Sequence, residues 1–306
     1  MSFSDLYRRQ VALLIRLLPI VAKQKEFALK GGTAINLFVR NMPRLSVDID
    51  LTYLPVRPRP QSLKSIDAAM KGIAKDIRAA IAGAQVNEAA TEGAVTTLYI
   101  GVQGAQVKIE VSPVLRGTVY APELRSVSRA VEEVFGFAEI PVVSFADLYA
   151  GKIVAALDRQ HPRDLFDIRD LLANEGIGDE LRLAFLVYLL SHDRPMHEVV
   201  APRRKALATE FSRGFEGMTA EAVKLSDLEE ARESLIGGII GKMPAVHRDF
   251  LVAFVDGKED WATVGLADAA ELPAIRWRQQ NLGKLTDERM AELARLLSEA
   301  LAGRGR

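Results

Sequence analysis

Residues 31–53 read GGTAINLFVRNMPRLSVDIDLTY, and the reading of this stretch decides the fold. The apolar Phe27-Ala28-Leu29 just before it is a short strand that runs into the glycine pair. Thr33 is a good helix N-cap and opens the run Ala34 to Phe38. Ser46 to Tyr53 alternates and is rich in β-formers, so a second strand follows, closed by the prolines from Pro55 to Pro60. On a strand, residues i and i+2 point to one face, so Asp48 and Asp50 present two carboxylates side by side. Two such charges repel, and one pKa rises unless a cation stands between them. A hard divalent cation, Mg²⁺ or Mn²⁺, suits oxygen donors of this kind. The glycine pair lets backbone N–H groups approach phosphate oxygens, and the helix start adds the positive end of its dipole. A phosphate cradle beside a carboxylate pair is the equipment for metal-assisted phosphoryl or nucleotidyl transfer. Alone, D-x-D is a solvated strand face and Gly-Gly a turn; their order, with a helix between them, carries the functional reading.

Outward from this unit, residues 4–24 carry apolar positions at helical spacing, and so do residues 62–81, with Ile66, Met70, Ile73 and Ile77 on one face. Ala94 to Val102 and Gln106 to Val111 form an expected antiparallel pair. Glu110 on the second of these supplies a third oxygen ligand or a base if its strand lies beside the aspartates. Lys108 projects to the same face, so an ion pair is the competing reading. A weak strand at Val142-Val143 precedes helices expected over 145–159 and 163–173. Beyond these the pattern is mostly helical: 180–190, 223–233, 245–254 and 287–301. The fold class is α+β, a small mixed sheet flanked by helices with a helical C-terminal part. The division falls near Asn174 to Asp179, giving domains 1–176 and 177–306.

The 306 residues are 49% hydrophobic and 26% charged, which excludes disordered and fibrous classes. Lys+Arg and Asp+Glu each total 40, so no global basic field exists to hold nucleic acid, and any such contact is local. With no cysteine there is neither disulfide, thiolate zinc site nor cysteine nucleophile. The N-terminal segment, with Asp5 and the pair Arg8-Arg9, reads as a helix of the mature protein rather than a signal peptide. No apolar run reaches the roughly 20 residues of a membrane span. The expectation is a cytoplasmic protein with no membrane partner.

The stretch 31–53 resembles the glycine and aspartate motifs of the polymerase-β-type nucleotidyltransferase superfamily. More narrowly, together with ADLYAGKIVAALDRQHPRDLFDIRDL over 146–171, it resembles the AbiEii/AbiGii toxin family. The resemblance implies that Gly31, Gly32 and Thr33 hold the phosphates of an NTP, reinforced by Ser46, and that Asp48 and Asp50 bind the catalytic metal. Lys152 looks like the family's motif lysine and Asp164 like its fourth-motif acid, with Asp167, one turn on, competing for that role. Physically, Lys152 is a flexible point charge able to neutralise a triphosphate, and Asp164 could orient it; the plain alternatives are an exposed helix lysine and an acid favoured by a helix N-terminus. Glu110 matches the superfamily's third carboxylate by order and strand type. The implied reaction moves an NMP from an NTP to a hydroxyl acceptor, an RNA such as a tRNA 3′ end. The implied role is the toxin of a toxin–antitoxin or abortive-infection system, with an antitoxin encoded nearby.

Rival readings are a small-molecule or protein nucleotidyltransferase, a catalytically silent module on the same fold, and a nucleic-acid-binding regulator. Retention of both Asp48 and Asp50 argues against the silent module. Zero net charge and the lack of a groove-reading motif argue against the regulator. Gly237 to Met243 mimics a P-loop, but Ile236 stands where its first glycine belongs and Met243 where Ser or Thr would bind Mg²⁺. His161, His192, His197 and His247 show no metal-ligand spacing. Two basic clusters, Arg57-Pro58-Arg59 and Pro202-Arg203-Arg204-Lys205, remain, as does Arg276-Trp277-Arg278-Gln279-Gln280-Asn281. The last is either a stacking surface for single-stranded RNA or an ordinary helix with a buried tryptophan.

Overall fold

The structure is a computed structural model that describes residues 5–303. The chain divides into two compact units. The first comprises residues up to Ser144 together with Gly217–Ala222, and the second comprises Phe145–Glu216 and the chain from Val223 onward.

The first unit opens with helix α1 (Asp5–Val21), whose Val11, Leu14, Leu17 and Leu18 are fully buried. Strand β1 (Phe27–Lys30) leads into helix α2 (Gly31–Ala34), which continues as a wider π turn over Ile35–Val39. Then come β2 (Ile49–Tyr53), α3 (Arg59–Ala80), β3 (Gln85–Thr91), β4 (Ala94–Val102), β5 (Ala105–Arg116), β6 (Glu123–Ser126), α4 (Arg129–Phe135) and β7 (Glu139–Val142). The strands form one seven-stranded sheet in the order β3-β4-β5-β2-β1-β7-β6. β2 runs antiparallel to β1 and parallel to β5, and β1 runs parallel to β7. Along β2 the residues alternate: Ile49 and Leu51 pair with Ile109 and Val111, all buried, whereas Asp50 pairs with Glu110. That alternation is what a sheet with one apolar face requires.

Two local expectations change here. The helix begins at Gly31 rather than after Thr33, so Thr33 lies inside its first turn and does not cap it. β2 begins at Ile49 rather than Ser46, which leaves Asp48 just ahead of the ladder. Just upstream the chain makes a long-range pairing instead: Leu45 N donates to Met218 O (2.8 Å) and Ala220 N to Pro43 O (2.9 Å), and Arg44 bridges Thr219. The backbone of residues 43–45 is thereby taken by the returning segment.

The second unit is helical: α5 (Phe145–Arg159), α6 (Pro162–Asn174), α7 (Asp179–Leu190), α8 (Met196–Val200), α9 (Ala208–Gly214), α10 (Leu225–Ile236), α11 (Ala245–Val255), α12 (Pro273–Leu282) and α13 (Asp287–Leu301). α5 packs on α6 and α7, α10 on α6, and α13 on α8 and α11. The segment 145–174, expected to group with the sheet, thus shares its core with the helices that follow it. Gly237–Gly241 is a π turn continuing α10, not a strand-to-helix loop, in keeping with the rejected P-loop. Among the described residues no helix is long and apolar enough to cross a membrane.

Candidate active site

The glycine turn and the aspartates meet in the first unit. Gly31 has φ +77°, in the left-handed region that glycine alone adopts freely. A Cβ on Gly31 would lie 2.6 Å from Asp50 Oδ2, so the lack of a side chain lets that carboxylate sit directly against the turn. A Cβ on Gly32 would lie 2.8 Å from both Arg44 Nη2 and Ser46 Oγ. The Thr33 hydroxyl donates to Asp48 O at 2.5 Å and lies 3.2 Å from Ser46 Oγ. Ser46 N in turn donates to the Tyr7 hydroxyl of α1 at 3.2 Å. Gly31, Gly32, Thr33, Ser46 and Asp50 are therefore one constellation, tied to Asp48 through its backbone.

Asp50 is half-buried, and burial pushes its carboxyl above the ordinary range; Lys30 pulls it back, while Asp48 and Glu110 push it further up. Lys30, opposite Asp50 on β1, has its ammonium pKa lowered by burial against the pull of Asp50 and Glu110. Asp48 itself is exposed. Glu110 is directly opposite Asp50 on β5, but its carboxylate is bonded to Lys108 Nζ at 2.6 Å. That hydrogen bond is the main reason the Lys108 pKa is raised. Among the described residues no group of three or more His, Cys, Asp or Glu side chains gathers as a metal site. Of the two readings that the sequence left open for Glu110, the ion pair with Lys108, two positions back on the same strand face, is the contact that the structure holds. The donor set still fits one hard cation. Mg²⁺ characteristically takes one or two carboxylates and fills the rest of its octahedron with water and substrate phosphates, and Asp48 and Asp50 are two mutually repelling carboxylates, Asp50 lying against the glycine turn.

Three further residues belong to this neighbourhood although the sequence reading did not single them out for it. Arg44 is buried, with Nη1 donating to Leu45 O at 2.8 Å. Asn36 ties the turn to the loop, giving Nδ2 to Gly32 O (2.8 Å) and accepting Arg44 N (3.3 Å) on Oδ1. Lys30 is the third. Their only sequence signal is position: Lys30 immediately before Gly31, Asn36 four residues after Gly32, and Arg44 two before Ser46.

The second unit holds Lys152 and both candidate acids. Lys152 is 8% exposed on α5, so the exposed-lysine alternative falls. Its Nζ donates to Asp164 Oδ1 at 2.8 Å and lies 3.0 Å from Asp167 Oδ2. Asp164 and Asp167 share one face of α6 because three residues make about one helical turn. Arg159 also binds Asp164, Nε to Oδ2 at 2.5 Å. Burial would raise the Asp164 carboxyl, but Lys152 and Arg159 hold it well below the ordinary carboxylate range. The choice between Asp164 and Asp167 resolves into a shared grip on one ammonium.

Elsewhere, Arg57 and Arg59 pair with Glu26 and Glu92, so that basic cluster is neutralised. Trp277 is 60% exposed rather than buried, with Lys284 Nζ 5.5 Å from its ring centroid. Arg278 is the inward residue of that helix, binding the carbonyls of Leu189, Leu190, His192 and Arg194.

The mixed sheet flanked by helices matches the fold of a nucleotidyltransferase toxin. Among solved structures it is similar to MenT4, a nucleotidyltransferase toxin from Mycobacterium tuberculosis H37Rv, at 16% sequence identity and TM-score 0.57, over 90% of this chain and 94% of that one. No curated protein matches the sequence. The chain belongs to the AbiEii family, nucleotidyl transferase toxins of type IV toxin–antitoxin systems, whose sequence model matches residues 12–278. It is thereby an NTP-dependent nucleotidyltransferase and the toxin component of such a system.

Proposed function

We propose that this toxin transfers a nucleoside monophosphate from an NTP to the terminal hydroxyl of an RNA, such as a tRNA 3′ end, in the cytoplasm, and that this modification arrests growth or aborts phage infection. The contact between the Asp50 carboxylate and Gly31 carries the reading, because it sets a phosphate cradle and an acid pair at one point. The first-turn N–H groups of α2 and the hydroxyls of Thr33 and Ser46 hold the triphosphate and fix the α-phosphorus for in-line attack. Asp48 and Asp50 hold Mg²⁺ or Mn²⁺, which when bound supplies charge neutralisation at the phosphoryl oxygens. The acceptor oxygen bonds to the α-phosphorus and gives up its proton to water, while the bond to the bridging oxygen breaks and pyrophosphate leaves. Lys152, gripped by Asp164 and Asp167, supplies a fixed positive charge of the kind that suits a triphosphate. Lys108, bonded to Glu110, keeps that third acid from adding uncompensated charge beside Asp50. A cognate antitoxin encoded nearby opposes the outcome.

The test is incubation with each labelled NTP and total RNA. Label on RNA with wild type, and none with Asp48→Ala, is the expected result. Label on protein or on a small molecule instead would replace the acceptor, and undiminished labelling in Asp48→Ala would remove the site assignment.

A further inference from the structure

The second basic cluster of the sequence, Arg203 to Lys205, is not a loose surface loop. It is sewn to the corner between α5 and α6 by one buried side chain, that of Gln160. Gln160 is 2% exposed and has φ +52°, a left-handed conformation costly for a residue with a side chain. Its Nε2 donates to Arg203 O at 2.7 Å, and its Oε1 accepts Lys205 N at 3.0 Å and Arg232 Nη1 at 3.2 Å. Lys205 Nζ then donates to Asp158 O at 3.0 Å. The effect is to gather the exposed Arg203 and Lys205 beside Arg159, whose side chain is 62% exposed, and the exposed Arg163.

Gathering like charges costs free energy, and the nearby acids offset it only in part. Asp158 pairs with Arg194, Glu233 with Arg204 and Arg232, Asp167 with Lys152, and Asp164 with both Lys152 and Arg159. A strained, buried glutamine that holds cations together makes physical sense if an anion is to lie across them. In a chain of zero net charge this patch is a local positive field of the kind that tracks a phosphodiester backbone. Its neighbour is the Lys152–Asp164 pair, which Arg159 joins directly.

We propose that Arg159, Arg163, Arg203 and Lys205 form the binding surface for the backbone of a single-stranded RNA, the strand that carries the acceptor hydroxyl. This rests on the RNA reading of the acceptor given above. Recognition is by charge, so it fixes the strand without selecting its bases.

The experiment measures the affinity of the full chain for a short fluorescein-labelled single-stranded RNA across a salt series, by anisotropy. Arg203→Glu with Lys205→Glu should weaken binding at least tenfold and reduce the salt slope by about 1.4, at about 0.7 per lost phosphate contact on a single strand. Lys64→Glu with Lys75→Glu, the same charge change on the exposed face of α3, should leave both unchanged. If the reversal fails to fold, Arg203→Gln with Lys205→Gln, which keeps the backbone bonds to Gln160, carries the test, and a weaker slope is again required. Unchanged affinity and slope in the patch variants, an equal loss in the α3 control, or no RNA binding by wild type would overturn the proposal. RNA labelled by wild type together with unaltered binding in the patch variants overturns this surface alone. Binding lost in those variants, with no RNA labelled by wild type, supports the surface and overturns only the acceptor reading.

Discussion

At the scale of single residues, the two glycines of the turn are not equivalent. Gly31 combines a left-handed φ with the Asp50 carboxylate 2.6 Å from its Cβ position, so Gly31→Ala meets both backbone strain and a displaced acid. Such strain costs about 1–3 kcal/mol, and nucleotide transfer should fall at least a hundredfold. Gly32→Ala meets the tips of Arg44 and Ser46, which can shift, and Gly32 does not adopt a left-handed φ. It should keep most of its stability while the KM for NTP rises. Urea unfolding and steady-state kinetics on the two variants separate these outcomes; equal behaviour would contradict the geometry.

Asp164→Asn removes the carboxylate shared by Lys152 and Arg159 in a buried network, which should cost about 3 kcal/mol at neutral pH. The folded pKa of Asp164 is depressed, so the stabilisation is complete above the unfolded carboxylate range, about pH 4, and is lost as pH falls below it. Urea unfolding should therefore show wild type and variant converging below pH 4. A gap independent of pH would mean that the ion pairs contribute little. The resemblance made Lys152 and Asp164 legible in the sequence, but their burial was not, because a lysine early in a helix reads as solvated until its partners on α6 are known.

At the scale of elements, periodicity served well where an element buries one face. Helices 145–159 and 287–301 and strand 94–102 lie where the apolar pattern puts them. β3 and β6 gave no signal, since both are sheet edges with mostly exposed residues. β2 is shorter than its alternation suggests, and just ahead of it Met218–Ala220, far along the chain, takes the backbone of residues 43–45, a pairing that no local pattern reports. Trp277 faces water while Arg278 turns inward, the reverse of what hydrophobicity alone dictates. Arg278 binds the last carbonyls of α7, and burial lowers its pKa to about 10. Arg278→Ala should destabilise the protein by about 2 kcal/mol, whereas Trp277→Ala should change stability by less than about 0.5 kcal/mol. Thermal melting of the two variants checks the order, and the reverse order would refute the roles assigned to them.

For the whole molecule, the α+β class and the helical C-terminal part were readable from the switch of hydrophobic period along the chain. The grouping of α5 and α6 with the helices after them was not, since which core a helix joins depends on partners remote in sequence. The candidate site was legible to the extent that chemistry follows spacing, as with Asp48, Asp50 and the glycine pair. Glu110 bonds to Lys108, one of the two readings that the sequence left balanced. We propose that Asp48 and Asp50, without Glu110, hold a single divalent cation at the glycine turn. The most direct measurement is Mn²⁺ titration followed by electron paramagnetic resonance, with a non-hydrolysable NTP present. One ion per chain is expected for wild type and for Glu110→Gln, with binding lost in Asp50→Asn and in Asp48→Asn. Binding that survives in both aspartate variants, or that disappears in Glu110→Gln, would contradict it.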